Sequence, residues 1–146
     1  MTMTSSQNTL REALTAEGFR VEESPDSGLS FKYEGSTYFL PDNHEDPQFF
    51  QLLLPNFWSL ETEDEYGRAL LACDALNRHA KLVKVHTVEN DTWVSVEAIH
   101  ADPRHFLQFL PRYLSYIQDA VRIFRDQMLH SPTEDAPEDQ PVLTTS

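Results

Sequence analysis

One cysteine, four glycines and 11 basic side chains stand among 146 residues, and each scarcity excludes something. The lone thiol, Cys73, cannot close an internal disulfide. Four glycines are too few for several close backbone approaches to a phosphate, and no Gly-rich phosphate loop, CxxC pair, HExxH, GxSxG or EF-hand loop occurs. Against the 11 bases stand 24 acids, a formal charge of −13. Such a field repels a phosphate backbone, whose binding rests on Lys and Arg displacing counterions. Nucleic acid is excluded as the expected partner. No apolar run approaches the roughly 18–20 residues of a membrane span, and MTMTSSQNTLREAL lacks the basic-then-apolar form of a signal peptide. A soluble, cytoplasmic protein with no membrane partner is expected.

What is present suffices for one core. Hydrophobic residues make up 40% of the chain, with nine Phe, five Tyr and two Trp, and the length suits one domain rather than two. SPTEDAPEDQPVLTTS, residues 131–146, has no apolar period and reads as a disordered acidic tail. Residues 1–8 are expected to be flexible, which leaves 9–130 as the domain.

Within it, Asn8 or Thr9 can cap a short helix through Leu10, Ala13 and Leu14, ended by Gly18. FRVEE, LSFKY and STYFL follow as strands, separated by the turn signals SPDSG and EG. In QFFQLLLPNFWSL (48–60) the first half reads as a strand and the second, after Pro55, as an irregular connection. Thr62 and Glu65 form a capping box for a second helix, whose inner stripe is Tyr66, Ala69, Leu70, Cys73, Leu76, Asn77 and Ala80. LVKVHTV and TWVSVEAI form a hairpin. With Asn90 and Asp91 as its loop, Val85 lies opposite Val96 and Val83 opposite Ala98 on one face, Lys84 opposite Glu97 and His86 opposite Ser95 on the other. A last helix starts at Asp102-Pro103 and runs to about Leu129, with a kink or restart expected where Pro111 removes a donor.

Residue types that build active sites crowd into LLACDALNRHAKLVKVHTV, yet the spacing describes a joint. Cys73 lies on the core stripe, and Asp74 and Arg78, four apart, make a surface ion pair of about 0.3–0.5 kcal/mol. Asn77, near the helix end, is placed to satisfy backbone groups where the chain turns into the next strand without a glycine. Cys73 and His79 point in different directions, so no thiol–imidazole pair forms. Six histidines and DNHED (42–46) could supply metal ligands, but no two histidines stand four apart on one helix. His100 and His105 straddle a helix start, and His44 with Asp42 and Asp46 reads as a solvated loop. No metal, cofactor or catalytic residue is expected.

The order helix, three strands, helix, two strands, helix, with FKYEGSTYFL, LLACDALNRHAKLVKV and TWVSVEAI as landmarks, resembles the YbjN family of bacterial proteins. That family is similar in fold to the class I chaperones of type III secretion. The likeness spans residues 9 to 129 and turns on apolar positions around Asn77, followed by a Lys-containing strand. It implies an α+β domain with an antiparallel sheet, in the order α-β-β-β-α-β-β-α, that binds protein segments and pairs with itself. FFQLLLPNFW departs from the chaperone pattern. The expected function is accordingly a non-enzymatic protein-binding or chaperone-like module, possible regulatory roles included. Its expected partner-binding residues are Phe39, Phe49, Phe50, Phe57, Trp58 and Trp93, whose apolar surplus also favours a homodimer. The competing expectation is a small-molecule-binding regulator or enzyme, with a pocket between sheet and last helix using Asp74, Arg78 or His105.

Overall fold

Period-two alternation sends the large apolar side chains of each strand to one side of a sheet. In the computed structural model, which describes residues 5–24 and 28–130, that sheet comprises β1 (Val21–Glu23), β2 (Gly28–Tyr33), β3 (Ser36–Pro41), β4 (Phe49–Leu54), β5 (Val83–Val88) and β6 (Asp91–Ile99). The spatial order is β1-β2-β3-β4-β6-β5, antiparallel at every pairing. Leu29 and Phe31, Tyr38 and Leu40, Phe50, Leu52 and Leu54, Val83 and Val85, and Val94 and Val96 point inward. Three helices, α1 (Ser5–Ala16), α2 (Glu63–His79) and α3 (Pro103–Leu129), complete the described fold. They bury Leu10 and Leu14, Ala69, Ala72, Cys73 and Leu76, and Phe106, Leu110, Leu114 and Ile117 in one core against those strands. Each fully buried side chain of this kind contributes about 1.5–3 kcal/mol.

Local chemistry sets the boundaries. After α1, Gly18 takes φ +101° and the Phe19 N–H reaches the Leu14 carbonyl at 3.1 Å, a Schellman ending that only a residue free of Cβ adopts without strain. Between β2 and β3 both turn residues, Glu34 and Gly35, have positive φ, the form that matches strand twist. Thr62 caps α2 by accepting from the Glu65 N–H at 3.0 Å. Acids fill the first turn of α2 and Arg78 and His79 the last, in the sense the helix dipole favours.

Several expectations are corrected. α1 begins at Ser5, so Asn8 and Thr9 lie inside it rather than capping it. β4 occupies the first half of the 48–60 segment and inserts between β3 and β6, giving the order α-β-β-β-β-α-β-β-α. The hairpin loop is Glu89-Asn90: Val88 pairs with Asp91, which sets Val83 opposite Val96 and Val85 opposite Val94. This shift of two residues preserves which face each side chain takes, the property that alternation encodes. Glu89 accepts φ +53° at the turn. α3 runs through Pro111 without a restart, because Pro111 is exposed while Phe106, Leu110, Tyr113 and Leu114 anchor both sides of it. On α2, Ala72 joins the inner stripe, and Tyr66 and Leu70 are exposed. The turn at 25–27 and the tail at 131–146 lie outside the described residues.

Candidate functional site

Because the helices pack on one side, the opposite face of the sheet carries no helix among the described residues. A row crosses it through Glu22, Ser30, Phe39, Leu53, Ser95 and Lys84, each opposite the next in register. Trp93 faces His86 beside this row, and Phe49 faces Ile99 toward the other end of the strands. Phe39, Phe49, Leu53 and Trp93 are half-buried, and Ile99 is 67% exposed. Gly28 explains how Phe39 lies. A Cβ there would meet the Leu40 carbonyl oxygen at 2.7 Å and the Phe39 ring at 2.9 Å, so the ring rests across a glycine that leaves it room.

Polar groups around Lys84 and Trp93 on this face are mostly paired. Lys84 Nζ lies 2.9 Å from Glu97 Oε2, and Gln51 donates to the same oxygen at 3.0 Å. The Lys84 hydrogen bond, with Gln51 behind it, holds the Glu97 carboxyl below its ordinary range. Trp93 Nε1 donates to Asn56 Oδ1 at 3.0 Å, its ring 6.2 Å from that of His86. His86 Nδ1 is buried and has no hydrogen-bond partner among the described residues. Burial, then the Lys84 charge, lowers the His86 pKa, so the ring is neutral near pH 7.

The sheet's edge is treated differently from its face. Asn77, on the last turn of α2, donates from Nδ2 to the Val85 carbonyl at 2.9 Å and accepts the Val85 N–H on Oδ1 at 2.9 Å. One side-chain amide thus copies the pairing a further strand would give β5. Val83 N–H is taken by the Lys81 carbonyl at 2.8 Å. Here the joint is structural: Asp74 and Arg78 pair with each other on the exposed side of α2, and burial pushes the Cys73 thiol up to about 11.

Of the expected partner-binding residues, the open face carries Phe39, Phe49 and Trp93. Phe50 points the other way, stacked on Phe106 at 4.8 Å. Phe57 and Trp58 pack edge-on against Phe124 at 5.2 and 6.0 Å, and Trp58 Nε1 donates to Glu65 Oε2 at 3.2 Å. Phe50 is a core residue, and Phe57 and Trp58 are half-buried against the core. The segment holding Phe57 and Trp58 is pinned to β6 and its turn by Phe57 N–H to the Thr92 carbonyl and Leu60 N–H to that of Asn90. Leu53 and Ile99 were missed, although alternation within FFQLLL and TWVSVEAI assigns both to the open side.

His100 and His105, which straddle the start of α3, form a second cluster with Tyr113, the member that the sequence did not reveal. Buried His100 ends β6, its Nδ1 2.8 Å from His105 Nδ1 and its Nε2 2.7 Å from the Tyr113 hydroxyl. Phe50, Phe106 and Phe109 surround the ring. Desolvation, then His105, lowers the His100 pKa. One of the two facing nitrogens donates and the other accepts, so the cluster ties the end of β6 to the first turns of α3. No group of three or more His, Cys, Asp or Glu side chains that could hold a metal ion occurs among the described residues. The space between sheet and α3 is filled by Phe106, Leu110, Leu114 and Ile117. Among the described residues no helix is long and apolar enough to cross a membrane.

No family model matches the chain, and no curated protein matches it. Among solved structures it is similar to YbjN of E. coli, a proposed transcription regulator, with a TM-score of 0.58 and 13% identity over 85% of this chain and 92% of that one. It is likewise similar to an uncharacterized protein from Methanothermobacter thermautotrophicus, with a TM-score of 0.52 and 13% identity over 84% of this chain and 99% of that one. At such identity the likeness establishes a YbjN-like fold and carries no activity.

Proposed function

We propose that the chain is a non-enzymatic protein-binding module, chaperone-like or regulatory, that acts in the cytoplasm and takes a polypeptide on the open face of its sheet. One observation carries this reading: Phe39, Leu53 and Trp93 lie together on a face that no described helix covers, with Phe49 and Ile99 on the same face beyond the Gln51–Glu97 pair. Contiguous apolar surface of this kind on a sheet is what partner chains cover. A second copy of the chain is one polypeptide able to do so, as a homodimer closed over this face. A part in transcription, as proposed for YbjN, would come through a protein, since a charge of −13 opposes contact with nucleic acid.

Affinity capture with the wild-type chain and with Leu53→Glu tests the reading. Polypeptides retained by the first and lost by the second, with equal melting temperatures, support it. Large melting shifts from metabolites in a thermal screen, without any Leu53-dependent polypeptide, favour a small-molecule regulator instead. Sedimentation equilibrium of the same two proteins shows whether a homodimer uses the face.

A further inference from the structure

This inference rests on the reading above and concerns the chemistry of the polypeptide. The chain carries −13, yet its open face is electrically balanced: Arg20, Lys32 and Lys84 stand there against Glu22, Asp91 and Glu97. Lys84 is engaged by Glu97. Arg20 and Lys32 have no carboxylate within ion-pair distance among the described residues, a state they share with Lys81, Arg104, Arg112 and Arg125, and what sets them apart is their place beside the open face. These two free cations line a groove of about 230 Å³ together with Glu22 and the hydroxyl residues Ser30 and Thr37. Ser30 is directly opposite Phe39, and Phe39 opposite Leu53, so the groove adjoins the apolar pair Phe39 and Leu53.

We propose that the face takes an acidic polypeptide segment, its apolar side chains over Phe39, Leu53 and Trp93 and its carboxylates on Arg20 and Lys32. The negative body does not forbid this. At physiological salt the Debye length is about 8 Å, so charges on the far side of the helices are screened and the local cations decide the sign. A second copy fits these cations less well. It would bring Glu22 and a Glu97 already held by Lys84, and it would set the same unpaired cations near its own.

Fluorescence anisotropy on the full chain tests the proposal with two labelled short peptides, one alternating Glu with Phe and Leu, the other with Lys in place of Glu. The acidic peptide is expected to bind about tenfold more tightly, from two exposed ion pairs gained in one case and two repulsions in the other. Arg20→Glu with Lys32→Glu, both exposed positions, should reverse that preference. Leu53→Glu and, independently, Trp93→Ala should weaken the acidic peptide. Equal binding of both peptides, still lost in Leu53→Glu, overturns the acidic partner and leaves the face as an interface. Binding of neither, with a dimer that Leu53→Glu disperses, assigns the face to a second copy and overturns the proposal. Binding of neither by a monomer overturns the reading of the face as well.

Discussion

Asn77→Ala should destabilise the protein by about 2 kcal/mol. The wild-type amide makes two bonds of 2.9 Å to the backbone of Val85, both partly buried beneath α2. A hydrogen bond of this kind contributes about 0.5–1.5 kcal/mol net, and more where water cannot reach the groups left behind. The edge of β5 loses both at once. For a chain of this size the melting temperature should fall by about 5–8 °C. Asn77→Asp separates the two bonds: a carboxylate still accepts the Val85 N–H, but its second oxygen meets the carbonyl oxygen to which Nδ2 donated. At neutral pH it should therefore be at least as destabilising as Ala. Its carboxyl pKa would be raised in the folded state, so the folded protein binds the extra proton, and the deficit should shrink as pH falls toward the ordinary carboxylate range. Urea unfolding measures the free energies, and hydrogen exchange at the Val85 amide reports the edge itself. Asn77→Ala within about 0.5 kcal/mol of wild type, with Val85 protection unchanged, would refute the reasoning.

Other perturbations separate the remaining contributions. Gly28→Ala should cost about 2 kcal/mol or more, since its Cβ meets a backbone oxygen at 2.7 Å at φ +142°, whereas Gly35→Ala, with open space around it, should cost about 1 kcal/mol; equal losses in thermal melts would contradict the close contact. Cys73→Ser should cost about 1–3 kcal/mol without altering polypeptide binding, and the native thiol should react with a thiol reagent only as the chain unfolds. Both His86 and His100 have lowered folded pKa values, so the unfolded chain binds more protons, and stability should fall as pH drops below about 6.5. Urea midpoints across that range should slope less in His100→Gln, and an unchanged slope would remove His100 from the account.

How much of this was legible depends on which interaction decides each residue. Faces of strands follow from alternation alone, so the inward set and the outward Phe39 and Trp93 could be read directly. The hairpin loop could not be placed to the residue, because a shift of two leaves every face unchanged and Glu89 gives no glycine-like signal for its positive φ. Pro111 does not break α3, because the packing of Phe106 and Leu114 on either side outweighs intrinsic helix propensity. Phe57 and Trp58 were hidden for a related reason: Pro55 marks irregular backbone, and only the bonds to Thr92 and Asn90 reveal that this irregular segment is held on the core. The His100–Tyr113 contact joins a strand end to a residue three turns into a helix, a juxtaposition set by docking rather than by any local pattern.

An open face beside an edge strand capped at Val85 constrains how a polypeptide can be recognised. Strand addition needs a row of free N–H and C=O groups. On β5 the Val85 groups are taken by Asn77 and the Val83 N–H by Lys81. At the other margin β1 offers only Val21–Glu23, with Arg11 3.9 Å from Glu23 across it. Backbone pairing at Val83 and Val85 of β5 would therefore have to displace bonds the fold already makes, and at β1 it would find a strand of only three residues. A partner on the face meets side chains instead, and selectivity then rests on where its apolar and charged groups fall. On the proposed reading, an edge left open would invite any extended chain, while a face answers only to a surface of matching shape and charge.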